Sequence, residues 1–335
     1  MRFGVSVPTC KEGLSLPLPF CSVDVTLELI QAAERLGFDS AWGNDHITPP
    51  AYVRHDFADP PNFYEPLIVF AAAARMTERI KLGVAVLVLP MREPVFLAKQ
   101  LATLDQVAGG RTVLAVGTGA YREEFEAIMP RLSGAHRGRM LDEGLEALSC
   151  LFAQRRASFK GEYYEFEGIE LYPKPVQDPY PIYMGGNNPN VARRAASHGQ
   201  GWMPAAVSAE EIRHGRDEIV RLAAQAGRDP DMIDIAPQLM VCLDRGRESG
   251  IERFRKSRMY VHLQTLAAST LRNQNLSRME QVNLVGSPAE IVDRIGALVD
   301  AGVTSLAAIS FLSETPEIMV EDMQRFAEEV IPHFR

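Results

Sequence analysis

Asn44-Asp45-His46 places an amide, a carboxylate and an imidazole in direct succession. An imidazole exchanges its proton near neutral pH, so His46 beside Asp45 suits proton transfer at a reacting atom. The same trio also suits a structural histidine bonded to the loop that follows. A second stretch, Met184-Gly185-Gly186-Asn187-Asn188-Pro189, joins a short apolar run to an Ala/Arg-rich helix former. Two glycines remove the Cβ atoms that would keep a ligand off the backbone. Asn188 is a good N-cap and Pro189 suits the first helical position. The first-turn N–H groups then face an anion, as in a phosphate cradle, or simply open a well-capped βα turn. A third stretch, Gly117-Thr118-Gly119-Ala120-Tyr121-Arg122, is glycine-rich and polar as well. The sequence holds no Ser/His/Asp triad, no Walker motif and no metal-ligand spacing, so no metal is expected. A bound organic cofactor is expected to carry the chemistry.

Such residues work together only where strands end side by side. Arg2 to Val7, Phe38 to Trp42, Ile80 to Leu89, Arg111 to Val116, Pro181 to Met184, Gly201 to Met203, Ile233 to Leu243 and Val303 to Ile309 read as short apolar strands. Helical spacing fills the intervals, as with Leu27, Ile30 and Ala33 between Asp24 and Gly37. Eight strand–helix units at this length predict an α/β fold, a TIM (β/α)8 barrel with insertions. The insertions fall near 47–63, 155–180 and 246–285, within one domain over 1–335. A doubly wound open sheet is the other arrangement, but no GxGxxG follows the first strand. A barrel keeps its chemistry at the C-terminal strand ends, where all three stretches lie. Trp42, at the same end, either stacks on a ligand ring or fills the core. Loops 47–63 and 246–282 are expected to close the pocket, with Phe57, Phe63, Tyr64, Tyr260 and His262 in reach. The remaining histidines carry no assigned role.

Composition narrows the function. The chain has 335 residues, 46% hydrophobic and 23% charged, enough apolar content for a large core. A net charge of -8 disfavours nucleic acid and anionic membranes as partners. No apolar run suits a signal peptide or a membrane span. Cys10, Cys21, Cys150 and Cys242 form no CxxC pair, and reduced thiols in a cytoplasmic protein are expected.

The run Arg79-Ile80-Lys81-Leu82-Gly83-Val84-Ala85-Val86-Leu87-Val88-Leu89-Pro90, continuing through Leu97-Ala98-Lys99-Gln100-Leu101, resembles the bacterial luciferase-like family of flavin-dependent oxidoreductases. So do Gly109-Gly110-Arg111, Gly117-Thr118-Gly119, Arg139-Met140-Leu141-Asp142-Glu143 and Met184-Gly185-Gly186-Asn187. The resemblance spans Phe3 to about Pro332. It implies a TIM barrel and a homodimer through the helices after strands two and three. It implies either coenzyme F420 or FMN as cofactor, with the ring on strand three and a non-prolyl cis peptide near Ala85 and Val86. The cofactor phosphate would meet Gly185, Gly186 and Asn187.

Asp45-His46 is similar to the Asp-His pair of the F420-dependent branch, in which the histidine lies beside the reacting carbon. Relatives acting on sugar phosphates carry a glutamate proton donor after strand four. The matching position here is Ala120, so a phosphorylated sugar is not expected. Tyr121 and Glu123 are the substitutes at hand. The resemblance therefore implies hydride transfer between F420 and a small organic substrate, with His46 and Asp45 as catalytic residues. Asn44, Ala85, Val86, Gly117, Thr118, Gly119, Met184, Gly185, Gly186 and Asn187 would bind the cofactor. An alternative is an FMN-dependent monooxygenase that takes reduced FMN from a partner flavin reductase and uses O2. Another is a non-catalytic flavin-binding barrel.

Overall fold

A computed structural model describes residues 1–268, 271 and 276–335. The strands are β1 (Arg2–Ser6), β2 (Ser40–Gly43), β3 (Lys81–Val88), β4 (Thr112–Gly117), β5 (Ala157–Lys160), β6 (Glu165–Ile169), β7 (Ile182–Gly185), β8 (Gly201–Met203), β9 (Asp234–Ile235), β10 (Gln238–Leu243), β11 (Leu284–Gly286) and β12 (Ser305–Phe311). Apart from β5 and β6, they join in one sheet of order β11-β10-β12-β1-β2-β3-β4-β7-β8-β9. Every pair in it is parallel. A parallel bridge between Ala205 and Gln238 closes β8 onto β10. The result is the eight-stranded barrel expected from the alternation of strands and helices, with β9 and β10 sharing one barrel position.

That shared position is a departure from the continuous strand 233–243. Pro237 lies between Ile235 and Gln238 and has no N–H to give the ladder, so the pairing breaks there. A second departure is β11, a three-residue strand added outside β10. Three residues carry too little periodicity to be seen in the sequence. Loop 47–63 holds a short helix, Ala51–Asp56, rather than running free throughout. The insertion near 155–180 forms the antiparallel β5–β6 hairpin. Of the insertion near 246–285, residues 269–270 and 272–275 lie outside the described residues.

Helices pack outside the barrel because their apolar stripes match the apolar outer face of the strands. Glu65 and Glu93 cap Pro66–Met76 and Pro94–Ala108, each with proline at the first turn. The barrel interior is lined mainly by small residues. Ala85, Ala115, Ala236, Ala307 and Ala308 leave room for Trp42, Tyr183 and Met203. On β3 the register shifts between Val84 and Leu87, and the Ala85–Val86 peptide within that bulge is cis. No described helix is long and apolar enough to cross a membrane.

Candidate active site

His46 leaves the C-terminal end of β2, and its Nδ1–H donates to Glu124 Oε2 at 2.9 Å. Glu124 belongs to the helix Arg122–Ile128 that follows β4. Its other oxygen accepts the Ile47 N–H at 2.7 Å and the Thr48 N–H at 3.4 Å. The carboxylate is buried, so it holds both the ring and the backbone behind it. With Nδ1 occupied, Nε2 is the ring nitrogen left for a ligand. Phe63 and Tyr121 flank the imidazole, with ring centroids 5.8 Å and 5.9 Å away. Glu124 was missed in the sequence, where Glu123 was considered instead. Glu123 points elsewhere and caps the helix Ala51–Asp56 through the Ala51 N–H at 2.5 Å.

Asp45 and Asn44 turn away from the mouth. Asp45 is 2% exposed. Its Oδ1 accepts from Arg92 Nη2 at 2.5 Å, and its Oδ2 accepts the Val88 N–H at 3.0 Å. It therefore ties the end of β2 to the end of β3, just beyond the bulge at Ala85 and Val86. The Asn44 amide pins residue 10 from both sides. Its Oδ1 accepts the Cys10 N–H at 3.1 Å, and its Nδ2 donates to the Cys10 carbonyl at 2.7 Å.

The glycine turn after β7 is shaped by Val86. A Cβ on Gly185 would stand 2.3 Å from Val86 Cγ1, and one on Gly117 3.0 Å from Val86 Cγ2. These two glycines admit the Val86 side chain. Gly186 is glycine for a different reason, a φ of 121°. The Gly186 N–H is used by the Met203 carbonyl. Asn187 staples the turn to the next loop: its Oδ1 accepts the Ala205 N–H, and its Nδ2 donates to the Ala205 carbonyl. Asn188 caps the helix Pro189–Ser197. Among the described residues, the N–H groups of Asn187 and Asn188 have no hydrogen-bond partner. Met184 is buried and supplies backbone.

Arg137 lies close by and donates from Nη1 to the carbonyls of Thr118 and Gly119, both at 3.1 Å. It has no carboxylate partner among the described residues. Two open N–H groups, a glycine turn and an unneutralised guanidinium fit the phosphate of a flavin-type group. The bulge at Ala85 and Val86, with small residues beside it, fits the ring.

Across the mouth stands a polar cluster on helix Arg258–Thr265. His262 Nδ1 lies 3.0 Å from the Tyr52 hydroxyl and 3.3 Å from that of Tyr121. Thr265 Oγ1 donates to the His262 carbonyl at 2.7 Å, so the Tyr121 hydroxyl donates to Thr265. Burial lowers the His262 pKa to about 3, helped by positive charge at His46, Lys11 and Arg258. Arg258 covers the rings of Tyr52 and Phe57, its Cζ 5.3 Å and 5.0 Å from their centroids, and pairs with Asp56 at 2.5 Å. Lys11, in the loop after β1, donates from Nζ to Ser310 Oγ at 2.8 Å. Burial lowers its pKa to about 7. Its position beyond the end of β1, on the catalytic side of any barrel, was the signal available.

Trp42 is not part of this cluster. Its Nε1 donates to Ser40 Oγ, and its ring faces Tyr183 inside the barrel. It lines a cavity of about 460 Å³ at the opposite, N-terminal mouth, with Arg2, Lys81 and Arg335. No group of three or more His, Cys, Asp or Glu among the described residues is arranged to hold a metal.

The family model described as luciferase-like monooxygenase matches residues 1–305. An FMNH2-dependent dimethylsulfone monooxygenase of Pseudomonas putida is 34% identical over 233 residues, 68% of this chain and 62% of that protein. The chain thus spans under two thirds of that relative. An F420-dependent glucose-6-phosphate dehydrogenase of Microbacterium testaceum is 27% identical over 323 residues, covering 90% of this chain and 91% of its own. Among solved structures, an F420-dependent secondary alcohol dehydrogenase in complex with an F420-acetone adduct superposes with a TM-score of 0.78 at 21% identity, covering 100% and 99% of the two chains. A monooxygenase from Streptomyces bottropensis gives 0.79 at 23% identity, with full coverage of both. These likenesses establish the barrel and include both F420-dependent and FMN-dependent enzymes. The chain is an oxidoreductase that belongs to the luciferase-like monooxygenase family.

Proposed function

We propose that the protein is an F420-dependent oxidoreductase acting on a small organic substrate at the C-terminal mouth of the barrel. The observation that carries this reading is the His46–Glu124 pair, with Nε2 as the ring nitrogen left for a ligand. When bound, the deazaflavin gives or takes the hydride. The protein supplies the rest. Glu124 fixes the orientation of His46, whose Nε2 holds or moves the substrate proton. Asp45, through Val88 and Arg92, holds the bulge at Ala85 and Val86 against the ring. The N–H groups of Asn187 and Asn188 and the Arg137 guanidinium would receive the phosphate, and Gly186 gives the turn its conformation. Gly117, Thr118, Gly119 and Gly185 shape the turns around it, and Met184 fixes the end of β7. Asn44 keeps the β1 loop in place. Phe63 and Tyr121 exclude water. Residues 1–335 would act as one barrel domain.

The FMN-dependent monooxygenase reading is kept by one observation, the 34% identity to the dimethylsulfone enzyme. In that case a flavin reductase would be a partner. Fluorescence titration of the purified protein with oxidised F420 and with FMN separates the two. Tight F420 binding with weak FMN binding is expected. FMN binding alone, with oxygen uptake once it is reduced, would overturn the proposal.

The helices after β2 and β3 leave Ile68 and Phe96 68% and 74% exposed, which supports a homodimer through that face. Light scattering should show the dimer, and a Phe96→Asp chain should be monomeric. Three of the four cysteines are buried and all are unpaired, as suits a cytoplasmic protein.

A further inference from the structure

Lys11 is fixed as a functional side chain would be. Its carbonyl accepts the N–H groups of Leu14, Ser15 and Leu16, each at 3.1 Å. The Gly13 carbonyl accepts Arg258 Nε at 2.7 Å, and Asn44 clamps Cys10 on the other side. The ammonium therefore projects from a backbone held at both ends. Its one partner among the described residues is the Ser310 hydroxyl, at the end of β12. No carboxylate pairs with the half-buried Lys11 among the described residues. Two N–H groups remain.

Lys11, His46 and Arg258 all set positive charge against His262, on the helix across the mouth. Arg258 is neutralised by Asp56 and His46 is held by Glu124, so Lys11 is the cation left to meet a ligand. A half-buried ammonium whose one partner among the described residues is a hydroxyl is a site for oxygen carrying partial or full negative charge.

We propose that Lys11 binds the substrate's reacting oxygen, and that the substrates are ketones or aldehydes and the corresponding alcohols. This rests on the hydride-transfer reading above. In reduction, the bound deazaflavin would supply the hydride for the new C–H bond at the carbonyl carbon. The C=O π pair moves onto oxygen, where the Lys11 N–H groups meet the charge. A proton from His46 Nε2 completes the hydroxyl, and the hydride donor is oxidised by two electrons. Oxidation runs the same steps backwards. Lys11 acts as a cation and gives up no proton, so it must be charged to work. Reduction should weaken as pH rises through about 7.

The test has two arms. In the first, wild type, Lys11→Met and Lys11→Arg are loaded with reduced F420 and offered a panel of short ketones, with cofactor reoxidation read by absorbance. All three should bind F420 alike. Lys11→Met should lose about 100-fold in kcat/KM, the scale of one lost oxyanion donor. Lys11→Arg stays charged at every working pH, so it should keep part of the rate. Equal rates in wild type and Lys11→Met, or no ketone turned over by enzyme that binds F420, would overturn the proposal. Failure of the wild type to bind F420 would instead sink the function proposed above. The second arm needs no cofactor. Glyoxylate with cyanoborohydride at pH 7 alkylates neutral amines that small carbonyls can reach. Lys11 should be labelled more than about 10-fold faster than the exposed Lys160 and Lys256, because its amine is more often neutral. Equal or slower labelling would show that a carbonyl does not reach it.

Discussion

The Cγ1 atom of Val86 lies 2.3 Å from where a Cβ on residue 185 would stand, so the β3 bulge and the turn after β7 are fitted to one another. Gly185→Ala must push Val86 or the turn aside. It should lower stability by about 1–3 kcal/mol, the scale of overpacking, and weaken F420 binding. Adding Val86→Ala should recover most of the loss in chemical denaturation, because the two residues share one space. Independent, additive losses would mean that Gly185 is needed for something other than Val86.

Asp45 is expected to matter for stability more than for proton transfer. Asp45→Ala removes the buried partner of Arg92 and the acceptor of the Val88 N–H. Removing one member of a buried pair costs about 3 kcal/mol. Urea unfolding should show that loss, along with weaker cofactor binding. A variant as stable as wild type but inactive would restore Asp45 to a chemical role.

Glu124→Gln keeps an oxygen for the Ile47 N–H but no longer accepts the His46 proton with a charged group. Turnover should fall by about 100-fold or more, in the range of lost acid–base catalysis, while F420 binding changes little. His46→Ala should fall comparably. If His46→Ala turns over normally with binding intact, the imidazole has no part in the chemistry.

His262 links the mouth to pH. Its folded-state pKa is about 3, below the ordinary value of 6.5. Between these limits the unfolded chain takes up a proton that the folded one refuses, so stability falls as pH drops from 6.5 toward 3. His262→Gln should remove that slope. Melting temperatures of the two proteins should run parallel above pH 7, and wild type should decline more steeply below 6. Parallel curves throughout would mean that His262 is charged in the fold.

The barrel was legible because eight apolar runs alternate with helical spacing, and that pattern survives even where Pro237 splits a strand. Asn188 and Pro189 gave the helix start correctly, since capping is a local property. What hid was pairing across the mouth. Glu124, Lys11 and Arg92 each sit far along the chain from what they touch, and nothing in spacing says that Glu124 rather than Glu123 turns inward. The same limit misled on glycine. Gly185 looked open to a ligand, but the space belongs to Val86, a neighbour that only the closed barrel supplies. Asn44 and Asp45 stand beside His46 in sequence and face other partners in space.

The single amide of Asn44 grips residue 10 while His46 stands two positions further on. Substrate recognition at Lys11 and proton handling at His46 are therefore mounted on one bracket. A loop graft that gave the enzyme a new substrate range would have to carry residue 44 with it, or the two halves of the reaction would fall out of alignment. Diversification in such a mouth is easier from the far side, where Tyr52, His262 and Thr265 can be exchanged without loosening that mount.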